Sequence, residues 1–353
     1  MKKISHLMIA LAATIGLASC SQTDNPTPTI QTNSGSLIIK EINVGTHKKS
    51  STGTGTYQGC QALVIYNNSD QPAILSNWGI AMCAPLTATS NKNIDDNGRL
   101  FYESEGWHPA LQGIWYFDGS ITVAPYSDLV VALTSAIDHT QQTDGALAFD
   151  LTDADVACYD IDVYNNANKY LAPTKVPESR WMKAQKYTTG NAWPVSILNP
   201  ALFIFSAPTY VSLAEWLNNE DNLTYVNGDT KQSTANLAAK IPNEWILDGV
   251  ELFQTTTVDK SIKRLTQDID AGYGVYNSTL GYSAYRNVDQ AATEAIADNA
   301  GKLVYGYDQA IEGTSEPSGI DAAASIKNGA KIVYKDSNNS SNDFHLRKDW
   351  SLR

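Results

Sequence analysis

Cysteine is scarce in this chain, with four in 353 residues and no C-x-x-C spacing. The histidines at 47, 108, 139 and 345 are widely scattered, so a structural zinc site has no support in the sequence. No G-x-S-x-G elbow occurs, which removes the usual nucleophile signal of an α/β-hydrolase. Basic charge is also short: 25 Lys and Arg face 37 Asp and Glu, a net of −12. That balance opposes nucleic acid and anionic lipid surfaces as partners. No internal repeat recurs at a fixed period, and no apolar run beyond residue 20 is long enough to span a bilayer. The glycines of "TGTGTYQG", 52–59, follow no βα pattern and carry no phosphate-cradling signal.

What is present begins with "MKKISHLMIALAATIGLASC", where two lysines precede an apolar run from Leu7 to Ala18. This is the order of a secretory signal, too short for a membrane span. Leu17-Ala18-Ser19-Cys20 resembles the lipobox of bacterial lipoproteins, which makes Cys20 the expected lipidation site. Residues 21–36, rich in Ser, Thr, Pro and Asn, cannot bury enough surface to order themselves and read as a tether. The expected organisation is a lipoprotein signal over 1–20, a flexible tether over 21–36 and one folded body over 37–353, with a second lobe to be sought within 165–245. Removal of the leader would leave 23 basic against 37 acidic side chains. Cys60, Cys83 and Cys158 then allow at most one internal disulfide. Cys60 with Cys83 is the pair it would use, and three buried, apolar thiols are the favoured reading.

Strand signals dominate the body. "SLIIKEINVG" (36–45), "QALVIYN" (61–67), "PAILSNWGI" (72–80), "GIWYF" (113–117), "SDLVVALT" (127–134), "ALAFDL" (146–151), "ALFIFSA" (201–207), "WILDGVELF" (245–253), "KLVYGY" (302–307) and "AKIVYK" (330–335) are short apolar or β-branched runs. The second and third read as a hairpin across the polar turn "NNSD". Helices are few. One is expected over 212–219, with Ser212 as N-cap and Glu215 completing a capping box; others over 230–242 and from Asp289 to near Gly301. This spacing predicts an all-β fold, an immunoglobulin-like antiparallel sandwich with long insertions and a few short helices.

The order of motifs resembles the lamin-tail-domain superfamily. An early "I-x-E-I" strand is matched by Ile39-Lys40-Glu41-Ile42, the "YN" strand end by Tyr66-Asn67, and "L-S-x-W-x-I" by Leu75 to Ile80. A proline-introduced apolar strand (121–140) follows, and Asp248-Gly249-Val250 looks like the family's later "x-D-x-V" strand. "FIFSAP", "IPNEWILDGVELF", "KRLTQDIDAGYG", "YSAYR" and "DSNNSSNDF" together resemble one uncharacterised family of exported lipoproteins of gut-type Gram-negative anaerobes, a domain of unknown function. The resemblance implies a lamin-tail-like sandwich, an outer-membrane lipid anchor facing the cell surface, and an accessory role beside a TonB-dependent receptor. It implies no catalytic residues.

Four constellations could carry chemistry. Trp107, His108, Trp115 and Tyr116 lie close together in "EGWHPALQGIWYFDG", where exposed aromatics could bind sugars or peptides, although strand alternation places part of the cluster in the core. Asn93, Asp95 and Asn97 of "NIDDNG" have the oxygen spacing of a calcium loop, but Ser104 stands where a bidentate Glu is expected; a polar turn is the competing reading. No other cofactor is expected. His139 beside Asp138 would need a nucleophile to form a triad. Glu103 and Glu105, and the acids Asp153, Asp155, Asp160 and Asp162, would need to converge across a cleft to cleave a glycosidic bond. The function expected is therefore a surface-anchored, non-enzymatic binding or accessory lipoprotein for nutrient or metal-complex capture. An extracellular hydrolase acting on surface polymers and a structural or adhesive envelope protein are the alternatives.

Overall fold

The computed structural model describes residues 36–352 apart from 52–54, 91–93, 146, 227–232 and 312. The leader, Cys20, Asn93 and nearly all of the tether lie outside the described residues. The chain runs through β1 (Leu37–Asn43), β2 (His47–Lys48), β3 (Thr56–Tyr57), β4 (Ala62–Asn67), β5 (Ala73–Cys83) and the long β6 (Trp107–Val123). It continues with β7 (Asp128–Ala132), β8 (Val156–Cys158), β9 (Trp181–Lys186), β10 (Ala201–Ser206) and helix α1 (Leu213–Asn218). Then come β11 (Leu223–Tyr225), β12 (Leu237–Pro242), β13 (Ile246–Gln254), β14 (Gly274–Tyr276) and β15 (Ser283–Arg286). Helices α2 (Gln290–Glu294), α3 (Ala322–Lys327) and α4 (Ser340–Asp343) precede the last strand, β16 (Phe344–Arg347).

The protein is mostly β, as expected, but the strands form one curled sheet. Fourteen of them join along the path β14-β13-β10-β5-β6-β9-β8-β7-β4-β1-β15-β16, with β12 on β6 and β11 on β12. An immunoglobulin-like sandwich would leave two separate sheets. Here β8 and β9, running parallel to their neighbours β7 and each other, bridge the two sides, and the sheet is nearly closed and barrel-like. Its interior is filled from strands far apart on that path: Ile39, Ile65 and Val131 pack in the same apolar cluster as Trp78, Trp115, Leu202 and Val250. The segment 165–245 contributes β9 to β12 to this same sheet.

Several local expectations are corrected. β4 and β5 do not form a hairpin. β4 lies between β1 and β7, and β5 between β10 and β6, so residues 68–72 carry the chain from one side of the curl to the other. Every residue of β4 is buried, so both of its faces are covered, and apolar pattern alone does not say which strands lie at its edges. The expected helix over 230–242 is instead strand β12 from 237 onward, because pairing with the first half of β6 outweighs the helical preference of its alanines. No strand forms over the described residues of 146–151, nor over 302–307 or 330–335. Phe149 and Leu151 fill a satellite core, and Ile332 and Tyr334 cover Tyr66 and Tyr285 on the outer face. The helix starts fare better: Ser212 Oγ accepts the Glu215 N–H at 3.2 Å and Asp289 caps α2. However, α2 stops at Glu294, and Gly301, with φ +73°, follows a separate 3₁₀ turn over Ala297–Asn299 instead of closing the expected longer helix.

The curl is completed by charge rather than by a ladder. β1 bulges at Lys40, since Ile39 pairs with Ile65 but Glu41 with Val64. The Ile39 N–H donates to Asp248 Oδ2 of β13 at 2.6 Å, and Arg286 Nε of β15 donates to the Ile39 carbonyl at 2.8 Å. Arg286 Nη2 closes the triangle by donating to Asp248 Oδ2. Both side chains are buried, so losing one partner strands a charge, at a cost of about 3–5 kcal/mol. We therefore expect Asp248→Ala and Arg286→Ala each to lower stability by about that amount in chemical denaturation. Combining Asp248→Leu with Arg286→Met, a replacement that would restore stability at an ordinary buried ion pair, should leave this protein destabilised. The Ile39 N–H and C=O would remain unmatched, at about 1–3 kcal/mol each. Recovery of the wild-type midpoint in the double variant would refute this account of the seam.

Candidate functional site

The aromatic segment is built into the frame. β6 pairs with β5, β9 and β12, so both of its edges and both faces are occupied. Trp115 is fully buried against Tyr164 and Tyr170, and Tyr116 is buried in the outer cluster with Phe203 and Leu213. His108 is buried as well: Nδ1–H donates to Asn243 Oδ1 at 2.7 Å, and Nε2 accepts the Thr266 N–H at 3.1 Å. Trp107 is half-buried on Phe101 and Tyr102, with Lys240 Nζ 5.9 Å from its ring. The four side chains thus pack into the domain instead of forming an open platform.

Asp95 and Asn97 form a turn. Asp95 Oδ1 accepts the N–H groups of Asn97 and Arg99 at 2.8 and 3.0 Å, and Oδ2 is paired with the Arg99 guanidinium at 3.0 Å. These bonds, led by the Arg99 N–H, hold the Asp95 carboxyl down at about 2. With its oxygens so engaged, the segment has the chemistry of an Asx turn, and no cluster of metal-ligating side chains occurs among the described residues. Asp138 caps a short 3₁₀ turn through Thr140 and makes no bond to His139. His139 instead donates from Nε2 to the Ser135 carbonyl and accepts the Tyr57 hydroxyl at Nδ1, 2.7 Å away. Asp153 pairs with Lys175, Asp155 accepts the Val130 N–H, and Asp160 accepts the Ala184 N–H; Glu103 and Glu105 are exposed. The three thiols are buried and none is in a disulfide; burial pushes Cys83 up to about 12.

The motifs of the late sequence converge in a second buried ionic network. Glu251 of β13 accepts the Arg264 Nε–H at 2.8 Å, the N–H groups of Arg264 and Leu265, and the Lys263 ammonium at 3.2 Å. Arg264 in turn donates to the carbonyls of Pro85 and Asn199. Asp270 accepts the Glu251 N–H, the Ser340 N–H and the Ser340 hydroxyl. Burial pushes Asp270 up, whereas Arg264 and Lys263 prevail over burial to hold Glu251 below the usual range. Gly249 lets this loop pack close, since a Cβ there would lie 2.9 Å from the Leu265 and Ile269 side chains and force them to shift. "KRLTQDIDAGYG" and "DSNNSSNDF" are thus stitched to "WILDGVELF" as structural clamps.

An open groove lies elsewhere, lined by Ser76, Asn77, Asp118, Ser120, Thr209 and Ser212 and enclosing about 440 Å³. A second bulge, at Asn77 with φ +46°, interrupts the β5–β6 register and turns the Asn77 amide outward. Its Nδ2 donates to the carbonyls of Pro208 and Val211 at 3.0 and 2.9 Å, pinning the loop that carries Tyr210. Tyr210 is 80% exposed, the most exposed of the large apolar side chains among the described residues. Asp118, on the groove's other wall, is paired with Lys183 at 2.8 Å. Sequence reading missed these residues: Asn77 occupies the unspecified position of "L-S-x-W", and only the proline two residues before Tyr210 hinted at a displayed turn.

Fold and groove together define a mostly β, nearly closed domain whose buried ion pairs hold its frame, with a polar recess next to the loop that displays Tyr210. The family model described as "Protein of unknown function (DUF4876)" matches residues 124–306, a little over half the chain, and the chain belongs to that family. It is similar to the crystal structure of a DUF4876 family protein from Bacteroides thetaiotaomicron VPI-5482, with 21% identity and a TM-score of 0.62 over 88% of this chain and 70% of that one, a likeness of fold. No curated protein matches.

Burial has a consequence for pH. It holds His345 down at about 3, helped by Arg347, and His108 down at about 4. Both are neutral in the fold, so nothing is lost above the ordinary value near 6.5. As the pH falls through that value, the unfolded chain takes up protons that the fold refuses, and stability drops until the folded values are reached. Glu41 and Asp270, pushed up by burial, act in the opposite sense, so the informative quantity is a difference between variants. Between pH 7 and 4.5, His345→Gln should lose less stability than wild type by on the order of 2 kcal/mol. Parallel pH profiles in urea denaturation would contradict a neutral, buried His345.

Proposed function

We propose that the protein is a binding or accessory component, anchored through Cys20 to the outer membrane and facing the cell surface, that works beside a TonB-dependent receptor in nutrient or metal-complex capture. The observation that carries this reading is the groove beside Tyr210. Its lining offers hydroxyls and an amide-fixed loop, and Thr209 and Val211 of that loop flank the exposed Tyr210 in the chain. An exposed ring next to polar groups is the mixture that gives rigid apolar contact with polar orientation. Its lining includes one carboxylate among the described residues, Asp118, already paired with Lys183, whereas glycosidic cleavage requires two facing acids. The motif order that resembles lamin-tail domains belongs to the same proposal and would make the barrel-like sheet an elaborated relative of that sandwich.

Deleting the gene should slow uptake of one substrate class while extracellular polymer cleavage continues. Tyr210→Ala, restored in place of wild type, should reproduce the uptake defect with stability changed by no more than about 0.5 kcal/mol, as at ordinary surface sites. Normal uptake across a broad substrate panel would count against the proposal, and loss of polymer cleavage would favour a hydrolase.

A further inference from the structure

The bulge in β1 does more than expose the Ile39 backbone to the seam. Lys40 is the extra residue it creates, and the bulge aims its side chain over β4 toward Asp128 at the start of β7. The side chain of Lys40 is only 1% exposed, and its Nζ lies 5.6, 5.8 and 6.0 Å from the ring centroids of Tyr66, Tyr285 and Tyr334. Nζ stands 2.5 Å from Asp128 Oδ1 and 2.6 Å from Oδ2. Yet Oδ1, which is buried, receives no hydrogen bond of acceptable geometry. A nitrogen within 2.6 Å of both oxygens is also held close to the carboxyl carbon that joins them.

We propose that Lys40 and Asp128 condense to an intramolecular isopeptide bond. The pair carries its own protons. One ammonium proton passes to the carboxylate, leaving an amine and a carboxylic acid. The amine lone pair attacks Cγ, the C–N bond forms, and the C–OH bond breaks. The hydroxyl then departs with a second nitrogen proton as water, leaving a neutral amide and requiring no oxidant or co-reactant. Two features favour the step. Fixing nucleophile and electrophile in contact replaces a bimolecular encounter with a unimolecular one. The product also exchanges two charges held against an aromatic wall for an uncharged group, removing a desolvation penalty that a buried ion pair retains. Asp128, whose side chain is 23% exposed, gives the released water a way out. The link would join positions 88 residues apart and tie β1 to β7 across β4.

Intact mass of the full chain under denaturing conditions tests this directly, with Lys40→Arg and Asp128→Ala as references. N-terminal processing is common to all three and cancels. Corrected for the substitutions, wild type should be one water lighter than either variant, and a protease digest should yield a branched peptide joining Lys40 to Asp128. The wild-type measurement does not depend on whether the variants fold. Wild type at its full mass, with trypsin cleaving after Lys40, would overturn the proposal and leave an ordinary ion pair. A water loss that persists in Asp128→Ala would overturn it equally, since the bond would then lie elsewhere.

Discussion

The triangle of Ile39, Asp248 and Arg286 is the constraint on which the rest of the sheet depends. A sheet that curls through fourteen strands must either close, and so remove its edges, or leave unmatched backbone where the ends approach. Here β15 pairs with β1 only at Glu41 and Ile42, so the earlier half of β1 meets β13 without a ladder, and the bulge at Lys40 puts the backbone out of step. A carboxylate takes the orphaned N–H and a guanidinium takes the orphaned C=O, and the two ions satisfy each other. Arg286 also reaches the Lys335 carbonyl and Asp336, and its guanidinium lies over Phe344, so the same side chain fastens the late loop and the last strand.

The buried charges gather near this seam because the loops over it lack regular structure. Segments 255–273 and 335–339 have few ladder bonds of their own, and buried backbone must find partners. Glu251 and Asp270 supply acceptors for it, and Arg264 supplies donors for carbonyls in two other segments. Residues of this kind would ordinarily suggest chemistry. Their geometry, with each oxygen and N–H already matched inside the protein, assigns them to the framework.

Much of the frame was legible in the sequence. β1, β4, β5, β7, β10 and β13 are apolar, β-branched runs whose burial agrees with their composition. α1 and α2 start at the capping residues expected of them. Pairing was not legible: the polar turn after Asn67 looks the same whether the chain doubles back or crosses over. β8 is three residues long, and β9, "WMKAQK", follows no clean alternation, so the bridge that turns two layers into one sheet left no signal. The site was hardest to read. Trp107, His108, Trp115 and Tyr116 were conspicuous by type but are needed for packing. Asn77 and the loop that carries Tyr210 are far apart in the chain, and a bulge turns the Asn77 amide onto the carbonyls of Pro208 and Val211.

The seam also sets an order of events as the chain is made. Its members come from positions 39, 248 and 286, so the first strand emerges long before the residues that must close over it exist. Contacts of such large sequence separation form late, because the intervening loop must surrender its freedom first. Until the last quarter of the polypeptide arrives, β1 has an open edge with a lysine and an unmatched backbone group beside it. A nascent or truncated form ending before Arg286 would therefore be an unfinished curl with a sticky margin, and a natural substrate for holding factors or proteases.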